Sequence, residues 1–188
     1  MKIKVGISAR HVHLCEEDLN KLFGEGYKLT FFKPLSQLHE FASHETVNIK
    51  TESGELKNMR ILGPVRPYTQ VEITQTEAYQ LKINPPVRSS GDLDDSSEVT
   101  IIGPFGSVTK NCCIIAARHI HLNPEQANNY NLNDMEVVSV KCDTAKKTLF
   151  QDVVVRIKET YMAELHIDND DSNGNLLNHG DLVTIIKD

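Results

Sequence analysis

Short runs in which apolar and polar residues alternate recur along most of the chain, and none is long enough to suggest an extended amphipathic helix. A period of two places successive side chains on opposite faces, the mark of a half-buried strand. Such runs cover residues 27–32, 46–50, 58–62 and 69–74 in the first half and 136–142, 153–158, 163–167 and 181–186 in the second. A Pro- and Gly-punctuated stretch, 84–106, separates them and holds one more strand at 98–103. Strands this short, with turn signals roughly every 8 to 12 residues, predict small barrels or sandwiches. Two short helices interrupt the pattern. One opens at Cys15-Glu16-Glu17-Asp18 with acids in its first turn, and the other at Asn123-Pro124-Glu125, with Asn as N-cap and Pro at the first helical position.

The pattern also repeats. Ala9-Arg10-His11-Val12-His13-Leu14 returns as Ala117-Arg118-His119-Ile120-His121-Leu122, an offset of 119 − 11 = 108 residues, and each copy precedes one of the two short helices. The expected fold is therefore mostly β with short helices: two pseudo-symmetric small β-barrels, each capped by a short α-helix. The expected division is a first barrel repeat at 1–85, a connecting segment at 86–110 and a second barrel repeat at 111–188.

Histidines at i and i+2 of a strand share a face, roughly 6.5 to 7 Å apart along the backbone. That spacing suits one metal ion, or one ion each of a close pair. A single His-x-His is more often a solvent-facing or hydrogen-bonded pair, and the duplication is what favours ligation. Aligning Arg60-Ile61 with Arg156-Ile157 places Glu72, in Val71-Glu72-Ile73, opposite His166, in Leu165-His166-Ile167. Each half then offers three ligands: His11, His13 and Glu72, and His119, His121 and His166. Together they suit a pair of zinc ions, although cobalt, manganese and iron use the same ligand types. His39, His44 and His179 have no repeat partner and read as ordinary histidines. Arg10 and Arg118 are one residue out of phase with the pairs, so they face away and are expected to brace the strands by pairing with acids.

Composition narrows the class without naming a reaction. Apolar content of 39%, charged content of 24% and a net charge of −6 describe an ordinary globular protein and argue against general nucleic-acid binding. No apolar run approaches the roughly 20 residues that span a bilayer. Cys15, Cys112, Cys113 and Cys142 lack the spacing of a disulfide framework, which suits a reducing cytoplasm. They read as small packing residues, with Cys112 and Cys113 held as minor candidates for accessory ligands. Gly63-Pro64-Val65-Arg66-Pro67 is a rigid turn whose Arg66 is either plainly exposed or a bidentate grip for an oxyanion. The loop bearing Arg88, Ser90 and Gly91 allows a ligand close to the backbone, although on its own it is a weak signal.

With these residues in hand, the chain resembles the PduL-type phosphotransacylases, the phosphate propanoyltransferase family. The resemblance runs through Gly6-Ile7-Ser8-Ala9-Arg10-His11-Val12-His13-Leu14, Leu62-Gly63-Pro64-Val65-Arg66, Thr69-Gln70-Val71-Glu72-Ile73, Pro86-Val87-Arg88 with Ser90-Gly91-Asp92, Arg118-His119-Ile120-His121 and Glu164-Leu165-His166-Ile167-Asp168. It implies two capped barrels, two zinc ions on the six ligands, Arg66 as the catalytic phosphate-binding arginine, and coenzyme A, a substrate, contacting Arg88, Ser90 and Gly91. The implied reaction interconverts a short-chain acyl-CoA (propanoyl- or acetyl-CoA) and phosphate with acyl phosphate and CoA, by direct transfer. The chain departs from the family at Leu93-Asp94-Asp95-Ser96-Ser97 and at Asn169-Asp170-Asp171-Ser172-Asn173-Gly174, which bear on acyl and coenzyme preference. No encapsulation helix precedes the first strand, so the resemblance points to a free cytoplasmic enzyme with no nucleic-acid or membrane partner, and a homodimer is the default assembly. The rival readings are a dizinc hydrolase of thioesters or phosphoesters and a non-catalytic zinc-stabilised binding module.

Overall fold

A computed structural model describes residues 1–187 of the chain. In order, the elements are β1 (Lys2–Ser8), β2 (His11–His13), α1 (Glu16–Phe23), β3 (Phe31–Pro34), β4 (Phe41–Lys50), β5 (Glu55–Gly63), β6 (Gln70–Glu72), α2 (Gln75–Leu81) and β7 (Val87–Arg88). There follow β8 (Ser97–Ile102), β9 (Ser107–Ala116), β10 (His119–Leu122), α3 (Pro124–Tyr130), β11 (Val137–Cys142), β12 (Thr148–Ile157), β13 (Glu164–Asp168), α4 (Asn169–Asn175) and β14 (Leu182–Ile186). The architecture is the expected one, mostly β with four short helices and two closed six-stranded barrels.

The chain divides into two compact units. The first comprises Met1–Ala9, Ser36–Leu38 and the chain from Ala117 onward. Its barrel runs β1-β13-β10-β12-β11-β14, with β1 parallel to β13 and antiparallel to β14. Inward residues such as Val5, Ile120, Val138, Val153 and Leu165 are fully buried. Each such side chain contributes about 1.5–3 kcal/mol by leaving water. The second unit comprises Arg10–Leu35 and His39–Ala116. There β4-β5-β2-β6-β9 is closed by β8, which pairs with both β4 and β9, around Val12, Ile49, Met59, Ile61, Val71 and Ile101.

Each barrel thus holds the strand that precedes the other's His-x-His. β1 leads to His11 but closes the barrel of His119, whereas β9 leads to His119 but lies in the barrel of His11.

The strand expected at 27–32 is displaced to β3, a fully exposed edge. The Thr30 amide and hydroxyl and the Tyr27 hydroxyl all donate to the Glu45 carboxylate, so the Thr30 amide is taken by a side chain while its carbonyl alone accepts from the His44 amide. The Asn123 cap and Pro124 start of α3 are as expected, with a full capping box to Gln126. Helices α2 and α4 were not anticipated. Thr74 and Glu77 form a capping box for α2, while α4 combines Asn and Gly, poor helix formers, with an Asp168 cap on the Asp171 amide.

Candidate metal-binding triads

Both proposed ligand sets arise from the same piece of strand geometry. In the barrel of the second unit, β2 lies antiparallel to β6 and sets His11 directly across from Glu72. In the other barrel, β10 lies antiparallel to β13 and sets His119 directly across from His166. A directly opposed pair brings Cβ atoms to about 4.5–5.5 Å, and the i+2 histidine completes a triangle on the same face. Within each triad, one ligand-capable atom per residue lies within 4.8 Å of the others. Among the described residues these two triads are the metal-competent groups.

The His11–His13–Glu72 triad is buried. His11 Nε2 lies 3.5 Å from Glu72 Oε2, and the two imidazoles meet edge to face at 4.9 Å. His13 Nδ1 is buried with no hydrogen-bond partner, an arrangement that costs about 1–3 kcal/mol unless something takes the lone pair or proton. Burial, above all, holds the His13 imidazole well below its ordinary pKa of 6.5, with the charges of His11 and Arg66 acting in the same direction, and Glu72 and the Leu62 carbonyl opposing them. A neutral buried imidazole with an orphaned nitrogen beside a carboxylate fits a divalent cation.

The His119–His121–His166 triad is half-buried. His119 Nδ1 lies 2.8 Å from the Ala117 carbonyl, which requires the proton on Nδ1, the tautomer of an Nε2 metal ligand. The His119 and His166 rings stack in parallel at 4.9 Å, and Tyr161 stacks on His121 at 3.8 Å. Behind His166 stands a buried carboxylate: Glu164 Oε2 lies 3.2 Å from His166 Nε2 and accepts from Ser36 Oγ at 2.5 Å.

Arg66 stands close enough to His13 to act on its ionisation, and one hydrogen-bonded chain ties it to the first triad. Arg66 Nη1 donates to Ser90 Oγ at 3.1 Å, and Gln70 Nε2 donates to the same oxygen at 2.9 Å and to Glu72 Oε1 at 2.5 Å. The Gly91 amide donates to Gln70 Oε1 at 2.8 Å. Arg66 Nη2 is held by Glu40 Oε1 at 3.3 Å. Arg66, Ser90, Gly91 and Glu72 are therefore brought together. Arg88 is not part of that chain; it faces its own acidic loop, donating to the Asp94 carbonyl at 3.0 Å and lying 3.7 Å from Asp92 and 3.5 Å from Asp95.

Arg10 and Arg118 brace the strands as their phase indicated. Arg10 reaches Glu77 at 3.3 Å, and Arg118 makes a two-pronged contact with Asp171, both distances 2.7 Å. The two acids hold equivalent places, 77 − 72 = 5 and 171 − 166 = 5 residues after the third ligand. Cys112 and Cys113 pack as small apolar groups; burial pushes the Cys112 thiol up to about 12 and raises Cys113 as well, and neither joins a ligand group among the described residues.

One alignment needs correction. Val12 pairs with Ile61 and Ile120 with Val155, so Ile61 corresponds to Val155, and the landmark match of Arg60 with Arg156 is two residues out. The equivalence of Glu72 and His166 holds through the β2–β6 and β10–β13 ladders instead. Sequence reasoning also passed over Gln70 and Glu164, which face His13 and His121 across those ladders. Repeat equivalence two residues before the third ligand was the signal that could have found them. Ser36 and Gln37 carried no such signal, being two polar residues in a loop.

A family model described as phosphate propanoyltransferase matches residues 4–178. The chain is similar to a protein named phosphate propanoyltransferase from Thermotoga maritima, 47% identical over 98% of this chain and 89% of the other. Proteins of the same name from Rhodopseudomonas palustris, 41% identical over 99% of this chain and 83% of the other, and Lachnoclostridium phytofermentans, 40% identical over 98% and 87%, are also similar.

Proposed function

The chain belongs to the phosphate propanoyltransferase family, and we propose that it interconverts a short-chain acyl-CoA and phosphate with acyl phosphate and CoA, with zinc held in both triads. The observation that carries this reading is the chain of contacts from Glu72 through Gln70 and Ser90 to Arg66, which sets an anion-gripping guanidinium beside a metal-competent triad. The His13 Nδ1 without a partner in the first triad, and in the second His166 Nε2 lying 3.2 Å from a carboxylate oxygen, both suit a cation.

When bound, zinc supplies Lewis acidity and stabilises a thiolate leaving group. The protein's own groups do the rest. Arg66 offers a planar fork to the phosphate, while Glu40 and Ser90 hold the plane of that fork before phosphate arrives. A phosphate oxygen attacks the thioester carbonyl, a carbon–oxygen bond forms, the carbon–sulfur bond breaks, and CoA leaves as its thiolate. Holding two anions together that repel one another in solution accounts for much of the acceleration. Transfer is direct. The Cys112, Cys113 and Cys142 thiols are all raised by burial, and Cys15 is tied to Thr69. The loop holding Ser90 and Gly91 receives CoA, and Arg88 at its start offers a cation to the same substrate.

Metal analysis of purified protein, coupled to CoA release with and without phosphate, tests the reading. Two zinc ions per chain and release that requires phosphate are expected, and Arg66→Ala should abolish the phosphate-dependent reaction. A dizinc hydrolase would release CoA without phosphate and survive that substitution. Acyl exchange into CoA in the absence of phosphate would overturn direct transfer.

A further inference from the structure

Ser36–Leu38 is a short strap that lies with the first unit although both its neighbours in the chain belong to the second. Its central residue, Gln37, is 4% exposed, far more buried than a polar loop residue needs to be. The Met162 amide donates to Gln37 Oε1 at 3.0 Å, and Gln37 Nε2 lies 3.5 Å from the Met162 carbonyl. The opposite orientation of the amide would set its NH₂ against the Met162 N–H, so these contacts fix which end is which. The NH₂ end therefore faces His166, 3.3 Å from its Nε2. An amide N–H can meet that nitrogen only as an acceptor, in the tautomer that keeps the His166 proton on Nδ1 and a lone pair on Nε2, although Glu164 Oε2 lies 3.2 Å from the same atom.

This is the lone pair a metal ion would take. Once it is taken, the Gln37 N–H must turn elsewhere: to the Ser36 hydroxyl, 3.4 Å from Gln37 Nε2, or to an oxygen beside the metal position. Three-histidine sites keep a coordination position for an exogenous oxygen. The neighbouring carboxylate, Glu164, is already occupied with the Ser36 hydroxyl. Building on the phosphate acyltransferase reading above, we infer that Gln37 is a substrate-contacting residue whose amide N–H leaves His166 when the triad is loaded and donates to an oxygen of the bound phosphate. Held at both ends by Met162, the amide is oriented in advance and pays no rotamer entropy at the moment of binding.

The test uses zinc-loaded full-length protein and inorganic phosphate, with Gln37→Leu and Gln37→Glu. Gln37→Glu still accepts from the Met162 amide but has no N–H to donate, so it separates the lost contact from a disturbed loop should Gln37→Leu fail to fold. Calorimetric titration with phosphate, without turnover, should show affinity reduced about 10-fold or more in either folded variant. Zinc affinity, read by chelator competition, should stay within about threefold of the parent, and the kinetic loss should fall on KM for phosphate with KM for acyl-CoA unchanged. Unchanged phosphate affinity in a folded variant overturns the inference, as does a large loss of zinc affinity with phosphate binding intact, which would make Gln37 a prop for His166. If the parent protein itself, loaded with zinc, binds no phosphate, the functional reading fails along with it.

Discussion

The two triads share a strand geometry and differ in where each keeps its acid. In one, the carboxylate is a candidate ligand, Glu72, and the residue two positions earlier is neutral Gln70, which holds it. In the other, the candidate ligand is an imidazole, His166, and the residue two positions earlier is the carboxylate, Glu164, 3.2 Å from the ring. The preceding strands follow suit. Glu72 is paired with Ile114, but His166 is paired with Gly6, where an added Cβ would come within 2.4 Å of the Glu164 carboxyl carbon. The two triads share strand positions and bracing arginines, while the carboxylate sits at the third position of one and two residues before it in the other. A divalent ion among three neutral imidazoles keeps more of its charge than one sharing a carboxylate. Were both triads to hold zinc, as proposed, the second ion would have a carboxylate 3.2 Å from one ligand nitrogen in place of one within its ligand set.

The sharpest way to break the comparison is to remove one ligand from each triad. His13→Ala and His121→Ala should each leave one zinc per chain, by metal analysis, and lower turnover on the order of 10³-fold. Equal zinc content in parent and variant would show that the triad concerned does not hold metal. Glu72→His makes the first triad chemically like the second; zinc content should persist while activity falls about 10- to 100-fold.

A smaller effect separates the strands behind them. Gly6→Ala must displace Glu164 from Ser36 and His166, at about 1–3 kcal/mol, read as a lower denaturation midpoint. Ionisation gives a further contrast. His13 is held well below its ordinary pKa of 6.5, mainly by burial. In metal-free protein the unfolded chain therefore binds this proton first, and stability should fall as pH drops below 6.5 towards the depressed folded value, with no contribution above it. Urea midpoints against pH for the metal-free parent and His13→Asn check the sign, the variant being the flatter. The smallest effect is expected from the braces. Arg118→Ala, which loses a two-pronged contact and a cation over the Phe150 ring, should cost about 1 kcal/mol, and Arg10→Ala, which loses a single contact, a few tenths.

What the residues disclosed in advance was what is local and repeated. The two His-x-His copies, the Asn123–Pro124 start of α3 and the bracing phase of Arg10 and Arg118 follow from spacing alone, and the equivalence of Glu72 with His166, though not the register behind it, follows from the repeat. What stayed hidden depends on contacts distant in sequence. The Glu45 carboxylate that takes the backbone at Thr30 is 15 residues away. The Met162 amide that orients Gln37 is 125 residues away. Helix α4 is unreadable from its Asn and Gly content, because the Asp168 cap and the Arg118–Asp171 contact supply the support its own residues lack. The resemblance pointed to the anion-binding arginine; the carboxylate on Arg66 is seen only in three dimensions.

The exchanged first strand governs the order in which the molecule can be made. Val5 sits beside Leu165, 165 − 5 = 160 residues further on, so β1 must wait for β13 to be synthesised before it has that ladder to join. During translation it is an unpaired β-edge, and Lys2 and Lys4, alternating with Ile3 and Val5, place charge where another nascent chain would otherwise zip on. Closure of that barrel thus has a large loop to organise, and the slow step of folding belongs there.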